Sequence, residues 1–377
     1  MQNSIIIEIL YPKFNLNLVS AKCLIKSLFI FLYRDPSSKM LYENISLKKY
    51  NTFGLSIKAD RLVSFKLEEN AVRFFRQNRE FLEKALVLGG GSNLLFIEDF
   101  HGTIIHPSMD EINLEEKKSD YVRISSGAGV PWDKFVEATV NYGFGGLENL
   151  SLIPGLVGGA PVQNIGAYGA EVKDTIEKVR AISLADGEIR EFNNQDCRFS
   201  YRDSIFKQEL KGKYLITKVY FRLSTKPRLS LEYGTLMEEI SKLGSNSVSN
   251  VRKAVISIRQ SKLPDPALMG NAGSFFKNPF VDEKSVETLK VKYPRLPVFR
   301  EQSGAIKLAA GWLIEQCGWK GKRIGDAGVH EKQALVIVNH GSATGKELYL
   351  LSEEIRKSVF EKFGISLVRE VEVVGAT

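Results

Sequence analysis

Apolar and polar positions change along the chain in short segments, strand-like and helix-like periods following one another, which predicts a mixed α+β protein. No motif recurs at the roughly 20–50-residue period of a solenoid or propeller. Glu69 to Asn78 has helical spacing, and the apolar run Ala85-Leu86-Val87-Leu88 predicts a buried strand. Gly89-Gly90-Gly91-Ser92-Asn93 then predicts a loop, because successive glycines hold regular structure poorly. A second unit follows: a strand from Tyr121 to Ser125, a Gly127-Ala128-Gly129 turn, and a helix from about Trp132 to Asn141 stopped by Gly143. Strands are expected near Val179–Leu184 and Tyr214–Leu223, and a helix over Asn250–Gln260. Lys262-Leu263-Pro264-Asp265-Pro266 breaks that helix, and we place a domain boundary there. Beyond it the pattern predicts a helix near Ala305–Cys317 with Gly318 as its stop, and a strand Ala334–Asn339. The last helix opens on the capping box Thr344-Gly345-Lys346-Glu347, carries Leu348, Leu351, Ile355 and Val359 as one stripe, and ends at Gly364. A final strand is expected from Ile365 to Val374; on its period of two, Glu370 and Glu372 share a face.

Composition narrows the class. The chain has 377 residues, enough for two or three domains, and its 44% hydrophobic and 25% charged residues exclude a disordered, collagen-like or coiled-coil protein. The net charge of +8 admits anionic partners, but no Lys/Arg stripe with interleaved aromatics follows from it, so nucleic acid is not expected. Three separated cysteines, Cys23, Cys197 and Cys317, and four histidines suit neither a disulfide framework nor a metal site and fit a reducing cytoplasm. Leu24 to Tyr33 is apolar but about half the length of a bilayer span, and Met40 opens a stretch that reads as an ordinary start. Residues 1–39 are therefore expected to be dispensable or untranslated, with a short membrane-surface helix as the rival.

Two glycine-rich loops carry the candidate chemistry. Glycine lets successive backbone N–H groups converge on an oxyanion, and Gly89 to Asn93 could do so or could be a plain surface turn. Pro154 to Gly169 is more specific, with five glycines and two prolines in 16 positions, a backbone built to come close to a flat or charged group. Neither loop has the G-x-G-x-x-G spacing of a dinucleotide-binding turn.

Eight words taken together are far more specific. Asn51-Thr52-Phe53-Gly54, Leu88 to Leu95, Gly146 to Leu150, Ile153-Pro154-Gly155, Gln163 to Gly169, Tyr201-Arg202-Asp203-Ser204, Lys262 to Pro266 and Ala272 to Pro279, in that order, resemble the UDP-N-acetylenolpyruvoylglucosamine reductase family. The resemblance runs from about Leu47 to Ala376, and Leu231-Glu232-Tyr233-Gly234 is similar to the tyrosine loop of that family's first subtype. It implies a vanillyl-alcohol-oxidase-type FAD-binding fold in two subdomains, 40–110 and 111–260, a substrate-binding domain at 261–364, and a strand at 365–377 returning to the active site. It also implies a cytoplasmic, NADPH-dependent flavoenzyme of peptidoglycan precursor synthesis, reducing the enolpyruvyl group of UDP-N-acetylglucosamine enolpyruvate to UDP-N-acetylmuramate. The rival is an oxidase of the same FAD-binding type acting on a sugar or alcohol.

By position in these words, Ser274 resembles the proton donor, Arg202 the arginine facing the substrate carboxylate, and Glu370 the catalytic glutamate. The resemblance assigns the FAD to Gly89, Gly90, Gly91, Ser92, Asn93, Pro154, Gly155, Gly158, Gly159, Asn164, Gly166, Ala167, Tyr168 and Gly169. It assigns the substrate diphosphate to Tyr233, Lys262 and Asn278, and it implies no metal and no nucleic acid partner. Glu372 departs from the basic residue the family often carries there. Read alone, Ser274 could cap a loop, Arg202 could pair with Asp203 at the surface, and Glu370 could face solvent.

Overall fold

A computed structural model describes residues 40–301 and 304–375. The expectations for residues 1–39 lie outside this range, as does Cys23.

Strands Lys58–Phe65, Phe100–Pro107 and Ala85–Val87 lie side by side and run parallel, with Phe100–Pro107 in the middle. Phe100–Pro107 is buried over most of its length, as befits a parallel strand covered on both faces. The helix Glu68–Gln77 buries Ala71, Phe74 and Phe75, and Phe74 and Phe75 both meet the ring of Phe65. A five-stranded antiparallel sheet follows in the order Ile189–Asn193, Ile176–Ser183, Tyr214–Ser224, Tyr121–Gly127, Ile112–Lys117. The helix Trp132–Asn141 packs on it through Trp132 and Phe135, whose rings meet Phe221 of the sheet's central strand.

The C-terminal third holds two small antiparallel sheets. One orders Gly270–Ser274, Val336–Asn339, Ala327–Val329, Arg323–Ile324; the other orders Phe280–Val281, Ile306–Leu308, Val298–Arg300. The helix Gly345–Phe363 begins with both bonds of the expected capping box and ends on left-handed Gly364. Its stripe of Leu348, Leu351, Ile355 and Val359 joins a core that also contains Leu47, Phe53 and Leu95 from the start of the described chain. The middle of the chain has a separate core around Trp132, Phe135, Val179 and Phe221.

Two expected elements differ. The helix near Ala305–Cys317 is a strand, Ile306–Leu308, followed by a shorter helix, Ala310–Gln316. All of Ile306, Lys307 and Leu308 are buried between two strand neighbours, and that pairing overrides the helical spacing. The continuous strand Ile365 to Val374 is instead a bridge between Arg369 and Phe276 and a separate strand, Glu372–Val374, parallel to Leu94–Phe96. Each half serves a different neighbour, so no single ladder runs through both.

Candidate active site

The loop Gly89 to Asn93 is held at its base by Leu88, whose N–H donates to the Ile105 carbonyl at 2.9 Å and whose carbonyl accepts from His106 Nδ1 at 2.8 Å. Burial holds His106 below its ordinary pKa, which suits a neutral ring donating through Nδ1. A Cβ on Gly90 would lie 2.9 Å from the Cα of Gly155, so the two glycine loops touch backbone to backbone. Ser92 Oγ donates to the Pro154 carbonyl at 2.9 Å, and the Asn93 amide donates to Gln163 and to the Glu370 carbonyl. Gly91 has a φ of 60°, and a Cβ there would fall 1.9 Å from the Tyr50 carbonyl oxygen. The Thr52 N–H donates to the Gly91 carbonyl, and the Thr52 carbonyl accepts from the Asn271 N–H, which ties this loop to the strand bearing Ser274.

The result is a cleft with about 2000 Å³ of empty space, mouth included. Gly89, Gly90, Gly91, Ser92, Asn93, Pro154, Gly155, Gly158, Gly159, Gly166, Arg202, Ser274 and Glu370 all line it. The residues fit an FAD. Among the described residues no backbone N–H from Gly89 to Asn93 donates to another protein group, a row of free donors suited to a diphosphate. Gly89 and Gly159 have nothing within 4 Å of where a Cβ would be, so at both points the bare backbone faces open space.

Arg202 sits at the tip of a tight turn, since Ser200 and Asp203 exchange both backbone hydrogen bonds. Its φ of 55° is left-handed, a conformation that costs a residue with a Cβ about 1–2 kcal/mol. Several contacts hold it there: its carbonyl accepts from Lys207 Nζ at 3.5 Å and Lys277 Nζ at 3.4 Å, and its guanidinium donates to the Gly166 carbonyl. Arg202 Nε lies 3.1 Å from Glu370 Oε1, so its ion pair is with Glu370 and not with neighbouring Asp203, which accepts from Gln208. The Glu370 side chain is 13% exposed; burial pushes its pKa up, while Arg202, Lys207 and Lys277 oppose the rise. Burial and the adjacent Lys277 push Lys207 down. Glu372, on the same side of the chain, reaches Lys211 at the mouth. Ser274 ends the strand Gly270–Ser274 and is half-buried at the cleft wall.

Other assigned residues stand apart from the cleft wall. Asn164 is fully buried; its amide donates to Glu171 and to the Ser200 carbonyl and accepts from the Lys173 N–H, so it shapes the turn. Ala167, Tyr168 and Gly169 form a hairpin beyond Gly166 that does not line the cleft, and the Tyr168 ring meets Tyr233 edge-on at 5.9 Å. Asn149 donates to the carbonyls of both Tyr168 and Ser230, which ties that hairpin to the Tyr233 loop. Tyr233 is 52% exposed. Lys262 is exposed at the end of the helix Val248–Lys262, while Leu263 and Pro266 just after it line the cleft. Asn278 Oδ1 accepts from the Ala310 N–H, capping the helix Ala310–Gln316. Sequence reasoning passed over Lys207, Gln163 and Arg259, all of them in the wall. Gln163 opens the motif Gln163 to Gly169, but nothing in the sequence marks the two cations as partly enclosed.

This fold, two glycine loops in contact beside a half-buried acid–arginine pair, defines a flavin-dependent oxidoreductase of the FAD-binding type. Residues 59–193 match the FAD binding domain model, and residues 265–374 match that of the UDP-N-acetylenolpyruvoylglucosamine reductase C-terminal domain. The UDP-N-acetylenolpyruvoylglucosamine reductase of Flavobacterium johnsoniae is 44% identical over 337 residues, 89% of this chain and 99% of that protein. That of Pseudomonas aeruginosa is 45% identical over 332 residues, 88% of this chain and 98% of that protein. The crystal structure of the reductase from Thermus caldophilus aligns with a TM-score of 0.62 at 26% identity, covering 88% of this chain and 98% of that one. The chain belongs to the UDP-N-acetylenolpyruvoylglucosamine reductase family. Among the described residues no helix is long and apolar enough to cross a membrane.

Proposed function

We propose that the chain reduces the enolpyruvyl group of UDP-N-acetylglucosamine enolpyruvate to give UDP-N-acetylmuramate, with NADPH as electron donor, in the cytoplasm. The observation that carries this reading is the convergence of Ser274, Arg202 and Glu370 in one cleft with both glycine loops, from positions spread over the chain. When bound, FAD supplies the hydride chemistry, from NADPH to the terminal carbon of the enolpyruvyl group. The N–H row of Gly89 to Asn93 and the backbone of Gly155 to Gly159 hold the cofactor. The Arg202 guanidinium, a planar fork matched to a carboxylate, orients the enolpyruvyl carboxylate and stabilises the charge that builds on it. The Ser274 hydroxyl delivers a proton to the carbon next to that carboxylate. Glu370, whose pKa burial pushes up against the opposing pull of Arg202, steadies Arg202 and shares in proton handling at the same carbon. Tyr233, Lys262 and Asn278 hold the diphosphate end.

The test is the visible flavin spectrum of purified protein, bleached anaerobically with NADPH and then given the enolpyruvyl UDP-sugar. Return of the oxidised bands supports the reading. Bands that stay bleached until oxygen is admitted would assign the protein to a different acceptor.

A further inference from the structure

The stretch that presents Glu370 forms no helix and no strand of its own between the end of the helix Gly345–Phe363 and the strand Glu372–Val374. Its direction is set by bonds to its neighbours. The Val368 carbonyl accepts from the Lys277 N–H at 2.9 Å and the Glu370 N–H donates to the Phe275 carbonyl at 2.8 Å, so the backbone is laid on the residues just after Ser274. The last helix holds it from another side. Arg369 lies along Tyr349, Ser352 and Glu353, which are three and four positions apart on one face of that helix. Its guanidinium is 4.7 Å from the centre of the Tyr349 ring, its Nε donates to Ser352 Oγ at 3.3 Å, and its far end pairs with Glu353. Glu353 also accepts from Arg356 at 2.8 and 3.0 Å, and Arg356 Nε donates to the Leu367 carbonyl at 3.0 Å. One carboxylate on the helix thus serves two guanidiniums: one grips the stretch by its backbone at Leu367, the other is its own side chain at Arg369.

Neighbouring side chains on an extended chain point to opposite sides. With Arg369 turned onto the helix, Glu370 is turned into the cleft, where it meets Arg202 Nε at 3.1 Å. Arg369, Arg356 and Glu353 do not line the cleft themselves. Their side chains are 21%, 37% and 38% exposed, so as ion pairs they add little to stability. Placement is another matter, since a shift of about 1 Å at a reacting group can cost about 100-fold in rate. We propose that Glu353, with Arg369 and Arg356, forms a positioning network that aims the Glu370 carboxyl at Arg202. This rests on the role given to Glu370 above.

The test uses the full FAD-loaded chain with Arg369→Met, Arg369→Lys and Glu353→Gln, each also melted without flavin. In stopped flow, Arg369→Met and Glu353→Gln should slow reoxidation of the flavin by saturating enolpyruvyl UDP-sugar at least about tenfold, with the half-saturating concentration little changed and reduction by NADPH intact. Arg369→Lys, which keeps a cation for Glu353, should recover part of the loss. The flavin-free melts should fall by no more than about 2 °C. Because the network acts through Glu370, adding Arg369→Met to Glu370→Gln should slow reoxidation little beyond Glu370→Gln alone. Wild-type reoxidation in Arg369→Met would overturn the inference, and so would a double variant in which the two losses multiply in full. Equal slowing of both half-reactions with a deep fall in melting temperature, the mark of a purely structural arginine, would overturn it too. Wild-type protein that the enolpyruvyl UDP-sugar does not reoxidise, or a Glu370→Gln variant reoxidised at the wild-type rate, would instead sink the reading of the site beneath it, so the failures are distinguishable.

Discussion

The glycine loops allow a paired experiment in which one substitution should damage the fold and another only the cofactor site. An alanine at Gly91 meets two obstacles. Its φ of 60° costs a residue with a Cβ about 1–2 kcal/mol. The new methyl would also lie 1.9 Å from the Tyr50 carbonyl oxygen and 2.8 Å from the Asn51 Cα. That neighbour cannot give easily, because the Asn51 side chain is fixed by bonds of 2.8, 3.1 and 2.9 Å to the Leu47 carbonyl, the Leu55 carbonyl and the Leu55 N–H. Overpacking of this kind adds about 1–3 kcal/mol. Gly91→Ala should therefore lose about 2–5 kcal/mol, and at about 2 °C per kcal/mol for a chain of this length the flavin-free protein should melt about 4–10 °C lower. Gly159→Ala meets neither obstacle, since Gly159 has nothing within 4 Å of a Cβ and no left-handed φ. Its flavin-free melt should stay within about 1 °C of wild type or rise slightly, because alanine restricts the unfolded chain. Its affinity for FAD should still fall at least tenfold, about 1.4 kcal/mol, as the methyl fills the approach to the cofactor. Melting by circular dichroism and FAD titration by fluorescence read the two effects separately. Wild-type FAD affinity in Gly159→Ala would refute the placement of that turn against the cofactor, and a wild-type melt in Gly91→Ala would refute the close approach to Tyr50.

Three further outcomes are expected. Ser274→Ala should slow reoxidation of the flavin by the enolpyruvyl substrate by about 10²–10⁴-fold while leaving reduction by NADPH nearly intact, and stopped-flow traces with both halves equally slowed would contradict a donor role. Lys262→Ala should raise the dissociation constant of the UDP-substrate with little effect on flavin reduction; unchanged affinity in a titration would reject its diphosphate assignment. Asp133→Asn should destabilise the protein by about 3 kcal/mol, because Arg252, whose side chain is 10% exposed, is left with only the longer 3.8 Å contact to Glu137. Burial works against the charged form of Asp133, but the bonds from Arg252 and from the Leu152 N–H outweigh it and hold the carboxyl below its ordinary value. The stability it contributes is then complete above about pH 4 and lost as pH falls through the folded-state value, so the difference between wild type and variant should narrow on acidification. A gap in denaturation midpoint that is independent of pH would refute this account.

Much of the site could be read from the sequence, and the parts that could not share a physical cause. The glycine loops are legible because a run such as Gly89 to Gly91 has few uses other than a close backbone approach, and Thr344 with Gly364 marks a helix by local rules alone. Ile306 to Leu308 was misread because its strand pairing with Phe280–Val281 and Val298–Arg300 is tertiary and leaves no local trace. Arg202 beside Asp203 in sequence suggests a surface pair, yet the tight turn points Arg202 at Glu370, 168 positions away, a partner no spacing rule predicts. Arg259 is the clearest case, since an arginine three residues from the end of an ordinary helix gives no sign that its Nε is dry.

The segment after the last helix explains how the proposed reacting groups meet from distant parts of the chain. The Glu370 N–H donates to the Phe275 carbonyl and the Lys277 N–H to the Val368 carbonyl, so this stretch is laid along the strand that carries Ser274. Two residues on, the Glu372 N–H donates to the Asn93 carbonyl, and Glu372–Val374 runs parallel to Leu94–Phe96 at the exit of the first glycine loop. Leu367 and Val371 are nearly inaccessible, which pins both sides of Glu370 into the shared core. Glu370 is thus fixed at once to the strand of the proposed proton donor and to the loop proposed to hold the cofactor's diphosphate, while Arg202 reaches it from the middle of the chain, whose core is separate. The Arg202–Glu370 pair, with the Lys277 contact to the Arg202 carbonyl, accordingly joins the two cores through charged groups at the cleft.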